Sequence, residues 1–497
     1  MGTRKQRERQ EPLWYRTELA EAPGHPFYRR LNQVLEKAGF DPYCEQRCRE
    51  HYHESLGRPS LAPGVYFRLM LIGFFEGIGS ERGIAWRVAD SLSLREFLGF
   101  GLDERTPDHV TISRTRRLLD EGVHQAVFGW VLRELARRGL LKGKTIGIDA
   151  TTLEANAAMK SIERRDTAES YTEYLRRLAK AEGIDEKDEA ALRRMDRKRT
   201  KRMSNQEWVN PHDPEAEITR MKDGCTHLAY KAEQAVDLQT GAIVAVTTHG
   251  GATGDTESIR ETLPMAGEAV AAEIATPSAR GQYAVNQNGV EEVVTDKGYH
   301  SGAVLLKIGE WGVRSYVSEP ERGRRQWAGQ PEEQAAVYAN RRRITGGRGL
   351  TLLRQRGERS ERPFAHQFET GAGRRLHVRG RENVHKKLLV QAAACNLALL
   401  LRSMLGAGTP KGLRDRVAAL LFALLRALLA YPTHRRLSGG VSDKPTLTLS
   451  RLRNSTPPNV RCRQRVGSVA VGTVVAHRPP HRSVRAELPH TAPTSDA

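Results

Sequence analysis

Two short apolar runs, each strand-like in composition, deliver an aspartate: Thr145-Ile-Gly-Ile-Asp149 and Val293-Val-Thr-Asp296. An acidic residue, Glu361, follows in the arginine-rich stretch Ser360-Glu361-Arg-Pro-Phe-Ala-His366. Each aspartate is expected where its strand runs out into a turn. A sheet that gathers such ends crowds like charges, which repel and raise each other's pKa. The crowding persists when divalent cations sit between the carboxylates. Asp is also a common turn former, so no one of these residues decides the matter alone. Asp237 and Asp255, near other sheet elements, are expected in turn and cap roles.

The flanking pattern predicts a mixed α/β chain. Residues 28–140 read as short helices, at 30–38, 63–75, 80–91, 94–98 and 111–138, with Thr106 or Asp108 available to cap the last. Residues 226–237 and 242–248 read as a hairpin turning at Gln239-Thr-Gly241. Gly254-Asp-Thr-Glu257 opens a helix to 271. Strands at 291–295 and 312–317 flank a helix at 301–311. Residues 319–350 are polar and glycine-rich and read as a long connection, and 382–405 as an apolar helix. Residues 161–203, dense in opposite charges, predict an inserted helical arm separate from the sheet. The expected organisation is a flexible arm over 1–27, a helical DNA-binding region over 28–140 and a catalytic domain over 141–404 with an insertion at about 160–212. A helix over 405–431 and a disordered basic tail over 432–497 complete it.

Charge narrows the partner. The chain has 79 Lys and Arg against 59 Asp and Glu, a net charge of +20. That excess favours a polyanion through phosphate neutralisation and counterion release. Within 341–387 there are 14 basic residues against 4 acidic ones, in a part expected to fold. The five cysteines are too few and scattered for a disulfide framework, which points to a reducing, cytoplasmic compartment. The apolar runs 65–78 and 417–431 fall short of the roughly 18–20 residues of a spanning helix. No membrane partner is expected, and the second run is a candidate dimer contact or a packed helix. Cys44 and Cys48 with His51 and His53 have a loose zinc-like spacing, more simply read as chance clustering in a helix.

Ten short words carry a family likeness in order, over residues 59 to 404. They are Pro59-Ser-Leu-Ala-Pro, Leu69-Met-Leu-Ile-Gly-Phe-Phe-Glu-Gly-Ile-Gly-Ser80, Pro107-Asp-His-Val-Thr-Ile-Ser113-Arg114, Ile148-Asp-Ala-Thr-Thr-Leu-Glu-Ala-Asn156, Asp213-Pro-Glu-Ala, Tyr230-Lys-Ala-Glu-Gln-Ala-Val-Asp237, Gly254-Asp-Thr256, Asp296-Lys-Gly-Tyr299, Glu361-Arg-Pro-Phe-Ala-His366 and Arg379-Gly-Arg-Glu-Asn383. In these the chain resembles the DDE-type transposases of bacterial insertion sequences, whose catalytic domain has an RNase H-like fold. The resemblance implies that Asp149 is the first catalytic acid, on the first core strand. Asp296 matches the second, at the end of the fourth. Glu361 matches the third, at the start of a helix packed on the sheet, with Glu369 and Glu382 as alternatives. It implies two Mg²⁺ (or Mn²⁺) ions held by these acids. Its partners would be double-stranded DNA, as terminal inverted repeats and target, and a second copy of the chain. The setting is the bacterial nucleoid. Relatives often carry a Lys seven positions after the glutamate, where this chain has Phe368.

Two-metal phosphoryl transfer needs hard oxygen ligands and an in-line nucleophile. The expected reaction is cleavage at the element ends followed by transfer of the 3′-OH to target DNA. The alternatives are a hydrolytic nuclease of the same fold and a non-catalytic DNA-binding regulator. Candidate DNA contacts are Ser113, Arg114 and Arg116, in a region resembling a helix-turn-helix unit, and Arg356, Arg362 and Arg379. Lys231 is a weaker phosphate candidate, and Trp327 a weaker stacking platform for a flipped base.

Overall fold

The computed structural model describes residues 24–53, 60–101, 103–185, 187–199, 203–278, 284–321, 323 and 325–430, with side chains to 426. The predicted tail and most of the predicted N-terminal arm lie outside the described residues.

Seven helices come first: α1 (Pro26–Lys37), α2 (Phe40–Cys48), α3 (Pro63–Phe75), α4 (Glu81–Ala89), α5 (Leu92–Leu98), α6 (His109–Leu118) and α7 (Glu121–Arg137). Their starts follow local chemistry, because an oxygen before the first turn satisfies N–H groups that the helix leaves open. Ser80 accepts from Gly83 N at 3.1 Å, Asp108 from Thr111 N at 2.7 Å and Asp120 from Val123 N at 2.8 Å. The last of these splits the expected helix over 111–138 in two. Leu119 is extended and Asp120 opens a new helix. The charges that interrupt the apolar run of α3 are partnered: Arg68 is fully buried and pairs with Asp41.

β1 (Thr145–Glu154) starts the sheet, and the insertion follows. It comprises β2 (Glu163–Arg164), α8 (Tyr171–Ala181), α9 (Glu189–Lys198) and β3 (Trp208–Val209). The two helices pair over a small core of their own, Ala179, Leu192 and Met195. Beside it, buried Trp208 meets the rings of Tyr171 and Tyr174 edge-on.

β4 (Glu217–Arg220), β5 (Thr226–Asp237) and β6 (Ile243–Gly250) return to the sheet, followed by α10 (Asp255–Ala271), β7 (Glu292–Thr295), α11 (Gly302–Glu310) and β8 (Arg314–Val317). Among the described residues the sheet has six strands in the order β4-β5-β1-β7-β8, with β6 also on β5. β1 is antiparallel to β5 and parallel to β7, and β7 is parallel to β8. β4 pairs the first residues of β5 and β6 the rest. The predicted hairpin is β5–β6.

Four helices close the described chain: α12 (Pro331–Thr345), α13 (Gly347–Glu369), α14 (Arg381–Leu405) and α15 (Pro410–Ala430). α12 corrects the expected long connection, since Glu332 to Ala336 are helix formers once Pro331 sets the first turn. α13 covers one face of the sheet and α10 the other. The outer strands β6 and β8 are each bonded by a buried asparagine. Asn396 of α14 bonds the N–H (2.9 Å) and C=O (2.8 Å) of Ile243 in β6. Asn340 of α12 bonds the N–H (3.0 Å) and C=O (2.8 Å) of Val317 in β8. These contacts satisfy groups that an open edge would offer to another chain. α14 also packs on α7 and α3, so the N-terminal helices and the sheet share one hydrophobic core. By length and composition α14 with its continuation α15 qualifies as a membrane-crossing helix, but most of the residues of α14 are buried in the core here.

Asn340→Ala leaves a buried N–H and a buried C=O without partners. A loss of about 1–3 kcal/mol per group is expected in denaturant unfolding. A neutral result would show that Asn340 does not hold the β8 edge.

Candidate active site

Parallel pairing brings the two aspartates together. β1 and β7 pair as Thr145↔Glu292, Ile146↔Val293 and Gly147↔Val294. The same offset carried two residues further sets Asp149 level with Asp296. β7 ends at Thr295, whereas β1 continues on β5 to Glu154, where a single bridge to Arg375 joins it. Asp149 is therefore in mid-strand, not at a strand end as expected; what ends beside it is its neighbour. The extra length comes from β5, whose long register holds Ala150 to Glu154 against Ala229 to Glu233.

Asp296 begins a tight turn, its Oδ1 accepting from Gly298 N at 2.9 Å. Asp149 Oδ1 accepts from Ala150 N at 2.9 Å, and its Oδ2 from Arg356 Nη1 at 3.3 Å. Burial lifts the Asp149 carboxyl above its ordinary range. Arg356 and the Ala150 N–H oppose the rise, while the charges of Asp296 and Glu361 add to it.

Arg356 and Glu361 both lie on α13, which sits tightly on β1. A Cβ at Gly147 would come within 2.6 Å of Ser360 Oγ and of Leu238 Cδ2. Glu361 is exposed and well inside the helix, not at its start, with Pro363 two residues beyond. Glu369 is the last residue of α13, roughly 12 Å further along its axis. Glu382 lies on α14, paired with Lys386 at 2.6 Å. Phe368, at the position of the relatives' Lys, stacks on Phe364, and the Arg374 guanidinium lies 5.7 Å from its ring centre. The three acids are not drawn into one tight shell. Among the described residues, the one set of three His, Cys, Asp or Glu ligand atoms within 4.8 Å of one another is Asp223, Cys225 and His227.

Sequence reasoning missed the support on the opposite face of the sheet. Glu233, fully buried, accepts from Ser258 Oγ (2.6 Å), Tyr299 OH (2.8 Å) and Thr262 Oγ1. Burial raises its pKa against these three bonds. Lys231 is turned inward, with Nζ 2.6 Å from Asp255 and 2.8 Å from Ser258 Oγ. It does not face solvent as a phosphate contact would. A Cβ on Gly298 would lie 2.1 Å from Asp255 Oδ2 and 3.1 Å from Asp296 Oδ1. The sum of these, 5.2 Å, bounds the separation of the two oxygens. Asp255 does begin α10, as a cap role requires, but it also stands beside the site. Asp237 is a turn former as expected, accepting from the N–H groups of Lys142, Gly143 and Gln239.

The proposed DNA contacts divide. Arg114 and Arg362 are exposed, Ser113 is half-buried and Arg379 is exposed with Nε on Asn156 O at 2.9 Å. Arg116 is buried, pairing with Glu81 at 2.7 Å and with Asn383 of α14, so it ties the helical region to the core. Arg356 faces Asp149. Trp327 packs near Tyr338 under Arg325. Cys44 and Cys48 are buried, and His51 contacts Asp120 at 3.7 Å.

Residues 16–118, spanning α1 to α6, match the family model described as Transposase domain (DUF772). Over these helices the chain is similar to a transposase domain. Searches of curated proteins and of solved structures give no match. The matched stretch ends where α6 ends, and the carboxylates lie beyond it on the sheet that shares its core.

Because burial raises the folded pKa of Asp149, its contribution to stability is full below the unfolded pKa and is lost as pH rises through the folded one. Asp149→Asn cannot ionise. In chelator, the stability of the parent relative to this variant should fall as pH rises from below the ordinary aspartate range to above it. Denaturant unfolding across that range checks the sign, and a parent that gains on the variant with rising pH would contradict it.

Proposed function

We propose that the chain is a cut-and-paste DNA transposase that cleaves at the terminal inverted repeats of its element and joins the freed 3′-OH to target DNA. The observation that carries the reading is the β1–β7 register, which sets Asp149 level with Asp296 under the α13 helix that bears Glu361 and Arg356. The similarity to a transposase domain at 16–118 supports it independently. The sheet supports an RNase H-like core. With the short β4 set aside, Asp149 is on the first strand and Asp296 follows the fourth.

The donor set fits hard divalent cations, for every donor is a carboxylate oxygen and Arg356 is the cation that now faces Asp149. Asp149 and Asp296 would hold one Mg²⁺ (or Mn²⁺) and Asp149 with Glu361 the other. When bound, the ions supply an activated water or 3′-OH and stabilise charge on the leaving oxygen. The chain's own part is positioning. The Glu233–Tyr299 bond anchors the turn that begins with Asp296, and α13 fixes the height of Glu361 over β1. Arg114, Arg362 and Arg379 hold phosphate. The apolar residues Val417, Leu420, Leu421, Phe422, Leu424 and Leu425 stand exposed on α15 and support pairing of two copies on DNA.

Asp149→Asn and Asp296→Asn should each lower Mg²⁺-dependent end cleavage and joining by roughly 1,000-fold, equivalent to about 4 kcal/mol, with repeat binding retained. Unchanged cleavage at matched protein levels would end the assignment. Cleavage without joining of a pre-cut end would mark a nuclease, and repeat binding without any cleavage a regulator. Truncation before Pro410 should convert a dimer to a monomer in light scattering; a dimer that survives would remove α15 from the interface.

A further inference from the structure

The hairpin between β4 and β5 turns through Met221 to Cys225, on the far side of the sheet from the acidic centre. His227 precedes Gln234, the partner of Asp149, by seven residues of strand, roughly 23 Å. The turn is tightly tied. Gly224 N donates to Met221 O at 3.0 Å, Met221 N to Cys225 O at 2.9 Å and Arg220 Nε to Gly224 O at 3.2 Å. Gly224 takes φ +80°, which folds Asp223 back over the strand. Asp223 Oδ1 accepts from Cys225 N at 2.8 Å, and Oδ2 lies 2.8 Å from His227 Nε2. Cys225 and His227 are two residues apart on an extended chain, so their side chains leave the same face.

We propose that Asp223, Cys225 and His227 form a binding site for a zinc-class transition-metal ion. The carboxylate oxygen, Sγ and imidazole nitrogen already lie within 4.8 Å of one another. Tetrahedral zinc, with bonds of about 2.0–2.3 Å, holds its ligands roughly 3.3–3.8 Å apart. The Asp223–His227 pair, at 2.8 Å, has to open slightly and the Cys225 sulfur to adjust with it, by small rotations of side chains that have room to move: Asp223 is 53% and His227 26% exposed, and Cys225 is exposed. A thiolate with an imidazole and one carboxylate selects Zn²⁺ or Co²⁺ over Mg²⁺, which takes an all-oxygen shell. Three protein ligands leave a fourth position to water. The other described thiols do not compete, since Cys44 and Cys48 are buried and Cys395 is half-buried. The ion clips the hairpin that starts the longest strand of the sheet. Its chemistry is separate from that of the acidic centre and does not rest on the proposed reaction.

The test uses full-length protein stripped with chelator and titrated with Co²⁺, then Zn²⁺. One equivalent should bind with a near-ultraviolet thiolate-to-cobalt charge-transfer band, displaced by Zn²⁺, and with a rise in melting temperature. Cys225→Ser should remove the band, and His227→Ala should weaken Zn²⁺ binding by roughly 100-fold. Both positions are at the surface, so circular dichroism should report an unchanged fold. Asp149→Asn should leave the band intact. A titration without the band, or a band that survives in Cys225→Ser, overturns the proposal.

Discussion

Thr145 to Gly147 of β1, paired with Glu292 to Val294 of β7, are the three parallel steps that the rest of the site depends on. They fix Asp149 beside Asp296, and slipping by one residue would turn every side chain of one strand to the other face. The register is held from both sides. Ile146, Ile148, Val293 and Val294 are buried, and Gly147 lets α13 approach where any side chain would clash. At the outer strands, the asparagines of α14 and α12 satisfy the outward backbone groups of Ile243 in β6 and Val317 in β8.

Once the register is set, electrostatics follow. Two aspartates brought level, with Glu361 close enough to act on the first, leave a concentration of negative charge that Arg356 only partly offsets. Burial adds to the cost of ionising Asp149. A cation in that position relieves both terms, which is the physical reason to read the cluster as a metal site. The opposite face of the sheet carries its own carboxylate, Glu233, and contains it with three hydroxyl groups, one of them from Tyr299 in the turn that Asp296 begins. Level with the end of β7, the sheet thus has one carboxylate held by protein hydroxyls on one face and Asp149, faced by Arg356, under α13 on the other.

Much of this was legible in the residues. Two strands delivering aspartates, the hairpin after them, the charged insertion and the helical N-terminal region follow from short-range pattern and turn chemistry. Side-chain direction was not legible. Arg116 and Lys231 have the composition of phosphate contacts, yet their partners Glu81 and Asp255 lie 35 and 24 residues away and turn them inward. A helix was expected to start at Glu361, with Pro363 in its first turn; α13 instead begins at Gly347 and runs through Pro363, a helix breaker by local rule, because its packing on the sheet overrides that rule. The second half of β1, Ala150 to Glu154, is too polar to announce a strand and is one because β5 is long enough to pair with it. The nearness of Asp255 to Asp296 depends on Gly298 admitting it, a contact no linear spacing encodes.

Asp149, Asp296 and Glu361 are proposed to line one two-cation centre. Fe²⁺ bound there, with ascorbate and peroxide, cuts the backbone beside its ligands, and the fragments can be read by mass spectrometry. Cuts are expected near residues 149, 296 and 361 together, suppressed by excess Mg²⁺ and lost in Asp149→Asn. Cuts that spare these three segments, or that persist unchanged in Asp149→Asn, would contradict the proposal.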